Sequence, residues 1–349
     1  MKKLRSAIIF GVEALEIEVE ISFTKGLPGF SIVGLGSASV QEARDRIKAA
    51  LASDNFAFPP KKVVVNLSPS DVPKSGTMLE LPMALGIALY DKEVDFGDYL
   101  FFGELGLDGS IRESDTLFPT LLSLAKRGVA KNVIAPKCAA EKLSTIPNLN
   151  IYGFENLRSC IEFFESSDSD KSPHQTSFFS SKKLLVEGAE YFFEDSFEED
   201  FKEVRGQELA KRGALIAAAG FHNILMEGNP GSGKSMIARR LKYILPPLSR
   251  QEVLDIASLH SLEGKEPSFR AYRPHRSPHS SATRSSVLGG GTKEAKPGEV
   301  ALANRGILFF DEFPNFPKAI IEALREPMEE NRIFISRVNT KVEIGRAHV

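Results

Sequence analysis

The stretch Gly228-Asn229-Pro230-Gly231-Ser232-Gly233-Lys234-Ser235, continued by Met236, holds the residue types that grip a polyphosphate. Glycines let backbone N–H groups turn inward toward phosphate oxygens. A lysine at the end of such a loop reaches the β- and γ-phosphates, and the hydroxyl beside it ligates Mg²⁺. Further along, Asp311-Glu312 closes the apolar run 303–310. Asp311 has the chemistry to share the Mg²⁺ with Ser235, directly or through water. Glu312 can orient and deprotonate an attacking water. ATP and Mg²⁺ are therefore the expected cofactors, with Lys234, Asp311 and Glu312 as the catalytic set.

These groups can meet only if strands deliver them to one edge of a sheet. Ile224-Leu225-Met226-Glu227 reads as a strand entering the loop, and residues 236–241 have helical spacing after it, the strand–loop–helix context a phosphate loop needs. The run 303–310 reads as a buried central strand of a parallel sheet. In such sheets ligands sit at the carboxyl ends of strands, where both motifs would lie. A helix is expected over 208–219. Val204-Arg205-Gly206-Gln207 ahead of it can cover an adenine, which makes Val204 and Gln207 candidate base contacts. Between the motifs, Arg270, Arg273, Arg276 and Arg284 alternate with His275 and His279 before Gly289-Gly290-Gly291, a basic loop suited to a polyanion. The two histidines lack a third partner for a metal site.

Upstream, Ile17, Val19, Ile21 and Phe23 alternate with Glu16, Glu18, Glu20 and Ser22, a strand with one wet face. Further strands are read at 30–33, 62–67, 99–103, 132–134 and 150–152, and helices at 39–52, 79–89, 116–127, 138–143 and 157–164, an α/β domain of mixed sheet type. Residues 166–196 are polar and then acidic, a linker ending in a strap whose phenylalanines pack on the next domain. The domains are thus 1–165, a linker over 166–196, and 197–343.

Composition narrows the classes. Formal net charge is −2, so no global basic field draws in nucleic acid. Cys138 and Cys160 are too few for a disulfide framework and fit a reducing cytoplasm. No apolar run approaches membrane-spanning length.

With both motifs placed, the runs Val204–Gln207, Gly228–Ser235, Arg273-Pro274-His275-Arg276-Ser277-Pro278-His279, Phe310-Asp311-Glu312-Phe313-Pro314 and Leu324-Arg325-Glu326-Pro327-Met328-Glu329 closely resemble the magnesium-chelatase-like AAA+ ATPases, nearest their ComM (YifB) branch. Phe30-Ser31-Ile32-Val33-Gly34-Leu35, Val65-Asn66-Leu67-Ser68-Pro69 and Gly103-Glu104-Leu105-Gly106-Leu107-Asp108-Gly109 resemble that branch's Lon-protease-like front domain. The resemblance implies an α+β front domain of the ribosomal S5 domain 2/Lon-protease-like type, followed by a P-loop three-layer α/β/α domain. It also implies a hexameric ring that works on branched or single-stranded DNA without sequence preference, in recombination and natural transformation. Arg276, Arg284, Arg337 and Lys341 are the implied DNA contacts, of the salt-sensitive phosphate kind.

Two departures follow from the resemblance. Met78 stands where a Lon-type serine nucleophile would fall and Ser114 near its lysine, with Lys74 and Ser75 too close together to replace the pair, so acyl transfer is not expected. The sensor-1 strand, arginine finger and helical lid that the family carries past the hairpin are not in this sequence, and 344–349 reads like a translated sequencing adapter, so a truncated frame with an artificial tail is expected. The rival readings are a chelatase motor that remodels a metal-inserting partner, an ATP-dependent protease, and an inert nucleotide-binding piece.

Overall fold

The computed structural model describes residues 1–33, 38–70, 77–166, 172–174, 181–290, 297–330, 332–337 and 340–345; for 38–41 and from 330 onward it gives the course of the backbone alone. The chain forms two compact units, Met1–Phe178 and Phe179–Val349.

The first unit is built on β1 (Lys2–Phe10), β2 (Glu13–Thr24), β3 (Gly29–Val33), β4 (Lys62–Ser68) and β5 (Tyr99–Phe101), with β6 (Glu104–Leu105) and β7 (Ile111–Arg112) as a separate ribbon, then β8 (Asn132–Pro136) and β9 (Asn150–Phe154). Its sheet runs β3-β4-β2-β1-β5-β8-β9. β4, β2 and β1 pair antiparallel, whereas β3 joins β4, and β5, β8 and β9 join β1, in parallel. The alternation in β2 does what its period dictates. Ile17, Val19 and Ile21 are buried, while Glu16, Glu18 and Glu20 face the basic row of β1, with Lys3 within 2.8 Å of Glu18 and Arg5 within 2.9 Å of Glu16.

Helices α1 (Ala38–Ser53), α2 (Glu80–Ala88), α3 (Leu117–Lys126), α4 (Lys137–Leu143) and α5 (Leu157–Glu165) accompany the sheet. α2 is buried along most of its length. Its Gly86 lies so close to the sheet that an added Cβ would meet Ile21 Cδ1 at 2.5 Å. The one charge it carries inward, Glu80, accepts from the Arg46 guanidinium and from the Leu105 N–H at 2.9 Å.

The second unit begins with a hairpin, β10 (Lys182–Val186) and β11 (Ala189–Phe193), inside the stretch read as linker. β11 pairs with β12 (Leu248–Ser249), and Phe192 enters a cluster with Leu248, Val253, Ile256 and Ala271. Apolar burial therefore draws the end of that stretch onto this unit. Next come α6 (Glu208–Gly220), α7 (Lys234–Leu241) and α8 (Arg250–Leu262), which Ser249 opens with a capping box to Glu252. β13 (His275–Arg276) pairs in parallel with β14 (Ile307–Leu308). Short helices α9 (Arg284–Leu288), α10 (Glu299–Leu302), α11 (Lys318–Ala323) and α12 (Arg325–Glu330) and the ribbon β15 (Arg332–Arg337), β16 (Thr340–Gly345) complete it.

Two expected strands differ. The run 224–227 is not laddered to any strand, and Leu225 is 82% exposed. Apolar content alone does not make a strand, because pairing does, and no described segment registers with this one. The run 303–310 contributes only β14, since residues 299–302 are helical and Arg305 sits at φ +64°. The seven-stranded, largely parallel sheet belongs to the first unit. In the second, the three-layer core anticipated from sequence is represented among the described residues by the parallel pair β13–β14 and its helices.

Candidate functional site

The glycine loop passes straight into α7, whose first residue is Lys234. Gly231 and Gly233 stand at φ +78° and +88°, a region that L side chains avoid. Nothing lies within 4 Å of where a Cβ would project at either position, so the loop faces open space beside the N-terminus of α7. A helix N-terminus with upturned N–H groups is a seat for phosphate. Lys234 Nζ donates to the Gly228 carbonyl at 2.6 Å and to the Asn229 carbonyl at 3.0 Å. These weak acceptors hold the amine over the loop and can be exchanged for phosphate oxygens. Gly228, Asn229 and Pro230 are exposed, and Met236 packs beneath against the cluster of Val204, Ala214, Ala218, Ile237 and Leu241.

The two motifs meet. Ser235 Oγ donates to Asp311 Oδ2 at 3.4 Å, across 76 positions of sequence. β14 brings Asp311 there, tied to β13 by Ile307 N–H to the Pro274 carbonyl and Phe309 N–H to the Arg276 carbonyl, each 2.8 Å. Gly306 permits the contact, because a Cβ there would lie 2.0 Å from the Pro274 carbonyl oxygen. Glu312, beside it, takes the left-handed conformation at φ +52°, its N–H donates to Asp311 Oδ1 at 3.1 Å, and its Oε2 accepts from Asn315 Nδ2 at 2.9 Å. Both carboxylates are exposed, so water and a solvated cation can reach them. A hydroxyl and a carboxylate this close, beside a lysine, are the oxygen donors that Mg²⁺ prefers when it also binds phosphate. The residues present fit a magnesium–triphosphate.

The candidate base contacts divide. Gln207 is exposed and its Nε2 donates to the Ser232 carbonyl at 3.2 Å, which ties it to the phosphate loop. Val204 is only 4% exposed, packed under α6 and α7, so it can offer a base backbone groups rather than a side chain.

The basic stretch is not a free loop. Arg273 is buried, and its guanidinium donates to the carbonyls of Pro246 at 2.8 Å, Pro247 at 3.2 Å and Arg305 at 2.6 Å, with Phe221 5.2 Å beneath. It staples the chain after α7 to the segment that becomes β14. Burial pushes its pKa down to about 10, which still leaves it charged at neutral pH. Arg276 is held by Glu299 at 2.6 Å and Glu263 at 3.1 Å, so its charge is committed within the fold. His275 is half-buried against Phe309, and burial, then the charges of Lys242 and Arg239, hold its pKa down. Arg284 opens α9 exposed. Arg337 and Lys341 lie on β15 and β16 near their turn. Gly291 and residues 338–339 fall outside the described residues. Among the described residues no three His, Cys, Asp or Glu side chains gather as a metal site. Sequence reading placed Arg273 in a basic loop without its stapling role, and missed Asn315. An Arg flanked by Pro and aromatic residues gave a hint of the first, and Asn three residues after Glu312 of the second.

In the first unit, Met78 is 2% exposed. Thr116 Oγ1 donates to its sulfur at 3.9 Å and lies 3.1 Å from Ser114 Oγ, so positions 78 and 114 do come together. Lys74 and Ser75 lie outside the described residues.

Residues 200–347 match the family described as magnesium chelatase, subunit ChlI, and residues 19–138 the family described as subunit ChlI of Mg-chelatase. The chain is 37% identical over 338 residues to the competence protein ComM of Haemophilus influenzae, covering 95% of this chain and 64% of that protein. It is 36% identical over 339 residues to YifB of Salmonella typhimurium, covering 95% and 63%. The chain belongs to the magnesium-chelatase-like ComM family. A more distant relative, the magnesium-chelatase 67 kDa subunit of Heliobacterium mobile, is 25% identical over 155 residues, covering 36% of this chain and 23% of that protein. The chain spans a little under two thirds of the length of its ComM and YifB relatives. Membership ranks the chain with a chelatase-type ATPase family. Among the described residues no helix is long and apolar enough to cross a membrane.

Proposed function

We propose that this ComM-family chain binds and hydrolyses ATP with Mg²⁺ and uses the turnover to act on DNA. The observation that supports the nucleotide reading best is the 3.4 Å approach of Ser235 to Asp311 beside the glycine loop. Gly228 to Ser235 cradle the triphosphate, Lys234 meets the γ-phosphate, and Ser235 and Asp311 hold the cation. When bound, the Mg²⁺ neutralises charge developing on the phosphates. Glu312 takes the proton of the attacking water, and Asn315 orients Glu312. The exposed cation Arg284 and the backbone positions of Arg337 and Lys341 near a hairpin turn are the proposed strand contacts in the ring, a homo-hexamer, as the family resemblance implies. Arg276 is withdrawn from that role, since two carboxylates already engage it. The name of the Haemophilus relative favours DNA, while the Heliobacterium relative favours remodelling of a metal-inserting partner. Steady-state ATP hydrolysis with and without branched DNA separates the two. DNA stimulation supports the motor, and turnover indifferent to DNA removes it.

A further inference from the structure

A cleft of about 730 Å³ opens in the second unit. It is lined where the acidic strap, the end of α7 and the segment before β13 converge. Its floor is aromatic. Phe197 packs tilted against Tyr243 at 4.7 Å and lies 6.4 Å from Tyr272, the planes inclined at 43° and 60°. Phe197 and Tyr272 remain 39% and 38% exposed, an uncommon expense for two neighbouring rings. Each tyrosine carries a cation on its face, Lys242 Nζ at 4.6 Å from the Tyr243 centroid and the Arg270 guanidinium at 5.4 Å from Tyr272. Neither cation has a carboxylate partner among the described residues.

The strap's acidity is mostly spent elsewhere. Glu194 accepts from Ser181, Asp195 pairs with Lys182, Glu199 with Arg240, and Asp200 with Lys202. Among the described residues Glu198 pairs with no cation, and Glu194 keeps its charge because a hydroxyl does not neutralise it, so two carboxylates remain at the cleft.

We infer that this cleft is a stacking site for single-stranded nucleic acid, separate from the nucleotide loop. Ring faces beside unpaired cations suit a base that stacks while its phosphodiester meets Lys242 and Arg270. An acidic peptide would use the cations but leave the rings without partners. A free nucleotide already has its cradle at Gly228–Ser235, whereas here there are two point charges suited to singly charged phosphodiesters. Glu198 opposes the strand and tunes its grip. The inference extends the DNA reading above but does not need ATP hydrolysis.

The test is fluorescence anisotropy of a labelled oligo-dT of about 16 nucleotides, the upper range for such grooves, with the whole chain carrying Lys234→Ala to blind the nucleotide loop. Tyr272→Leu should weaken binding about 5- to 100-fold with little change in salt dependence. Arg270→Gln, at an exposed side chain that needs no refolding, should weaken it and lower the salt slope by about 0.7. Glu198→Gln should tighten it. If the oligonucleotide binds equally well to all three variants, or labelled poly-Glu or free TMP competes on equal terms, the cleft is not a strand site. Variants that bind equally, while the same three changes made with Lys234 intact leave DNA-stimulated hydrolysis in place, would overturn the cleft and leave the motor reading intact.

Discussion

Lys234 and Glu312 separate binding from chemistry. Lys234→Ala removes a charge-assisted contact of about 1.5–3 kcal/mol, so calorimetry should show ATP affinity about 10- to 100-fold weaker. Glu312→Gln keeps size and geometry but cannot take a proton, so affinity stays while turnover falls about 10²- to 10⁴-fold. Retained turnover in that variant would remove Glu312 from its role. Arg276 makes the opposite point. Its bonds to Glu263 and Glu299 mean that Arg276→Ala should destabilise the second unit by on the order of 2 kcal/mol, read as a lower denaturant midpoint, with little direct effect on DNA affinity. The meeting of the glycine loop with the Asp311–Glu312 turn was legible in the sequence, because the chemistry expected of them can be done by few residue types. Arg273 and Arg276 were misread as free cations because a sequence shows charge but not the carbonyls and carboxylates that meet it after folding.

At the scale of elements, β14 is the part that makes the site. It is only Ile307–Leu308, yet its pairing with β13 carries Asp311 to Ser235. Gly306→Val should therefore separate the motifs, because the side chain would collide with Pro274, and MgATP affinity should fall with it. β13 and α8 also carry the pH response. Burial holds the pKa of both His260 and His275 below 6.5, so the folded unit keeps them neutral. The unfolded chain takes up these protons at about pH 6.5. Stability is thus intact above that pH and falls as the pH drops through it. The melting temperature of the second unit should decline from about pH 7.5 to about pH 5.5, and His275→Gln should flatten the decline. An unchanged slope would assign the effect elsewhere. Element reading from sequence worked where one face is buried, as in β2, whose period forces the alternation. It failed at residues 224–227, where apolar content was present but no described strand lies alongside.

For the molecule as a whole, the two units divide the work. The first carries the seven-stranded sheet and brings Met78 and Ser114 together through Thr116. The second carries the glycine loop and the aromatic cleft. Ligand binding protects only what it stabilises. Hydrogen exchange with MgATP should slow amides around 228–241 and 307–315 and leave 1–165 unchanged. Family and the coarse α/β class were open to sequence reading because the motifs span both units. The hairpin at 182–193 was not, since its pairing to β12 joins segments far apart in the chain.

The most direct measurement is calorimetric titration of ATP, with and without Mg²⁺, into the chain and its Asp311→Asn variant. If Ser235 and Asp311 share the cation, Mg²⁺ tightens binding to the chain, and Asp311→Asn loses that increment while keeping the metal-free affinity. Binding to the chain that ignores Mg²⁺, or an increment that survives Asp311→Asn, would contradict a shared magnesium between the glycine loop and β14.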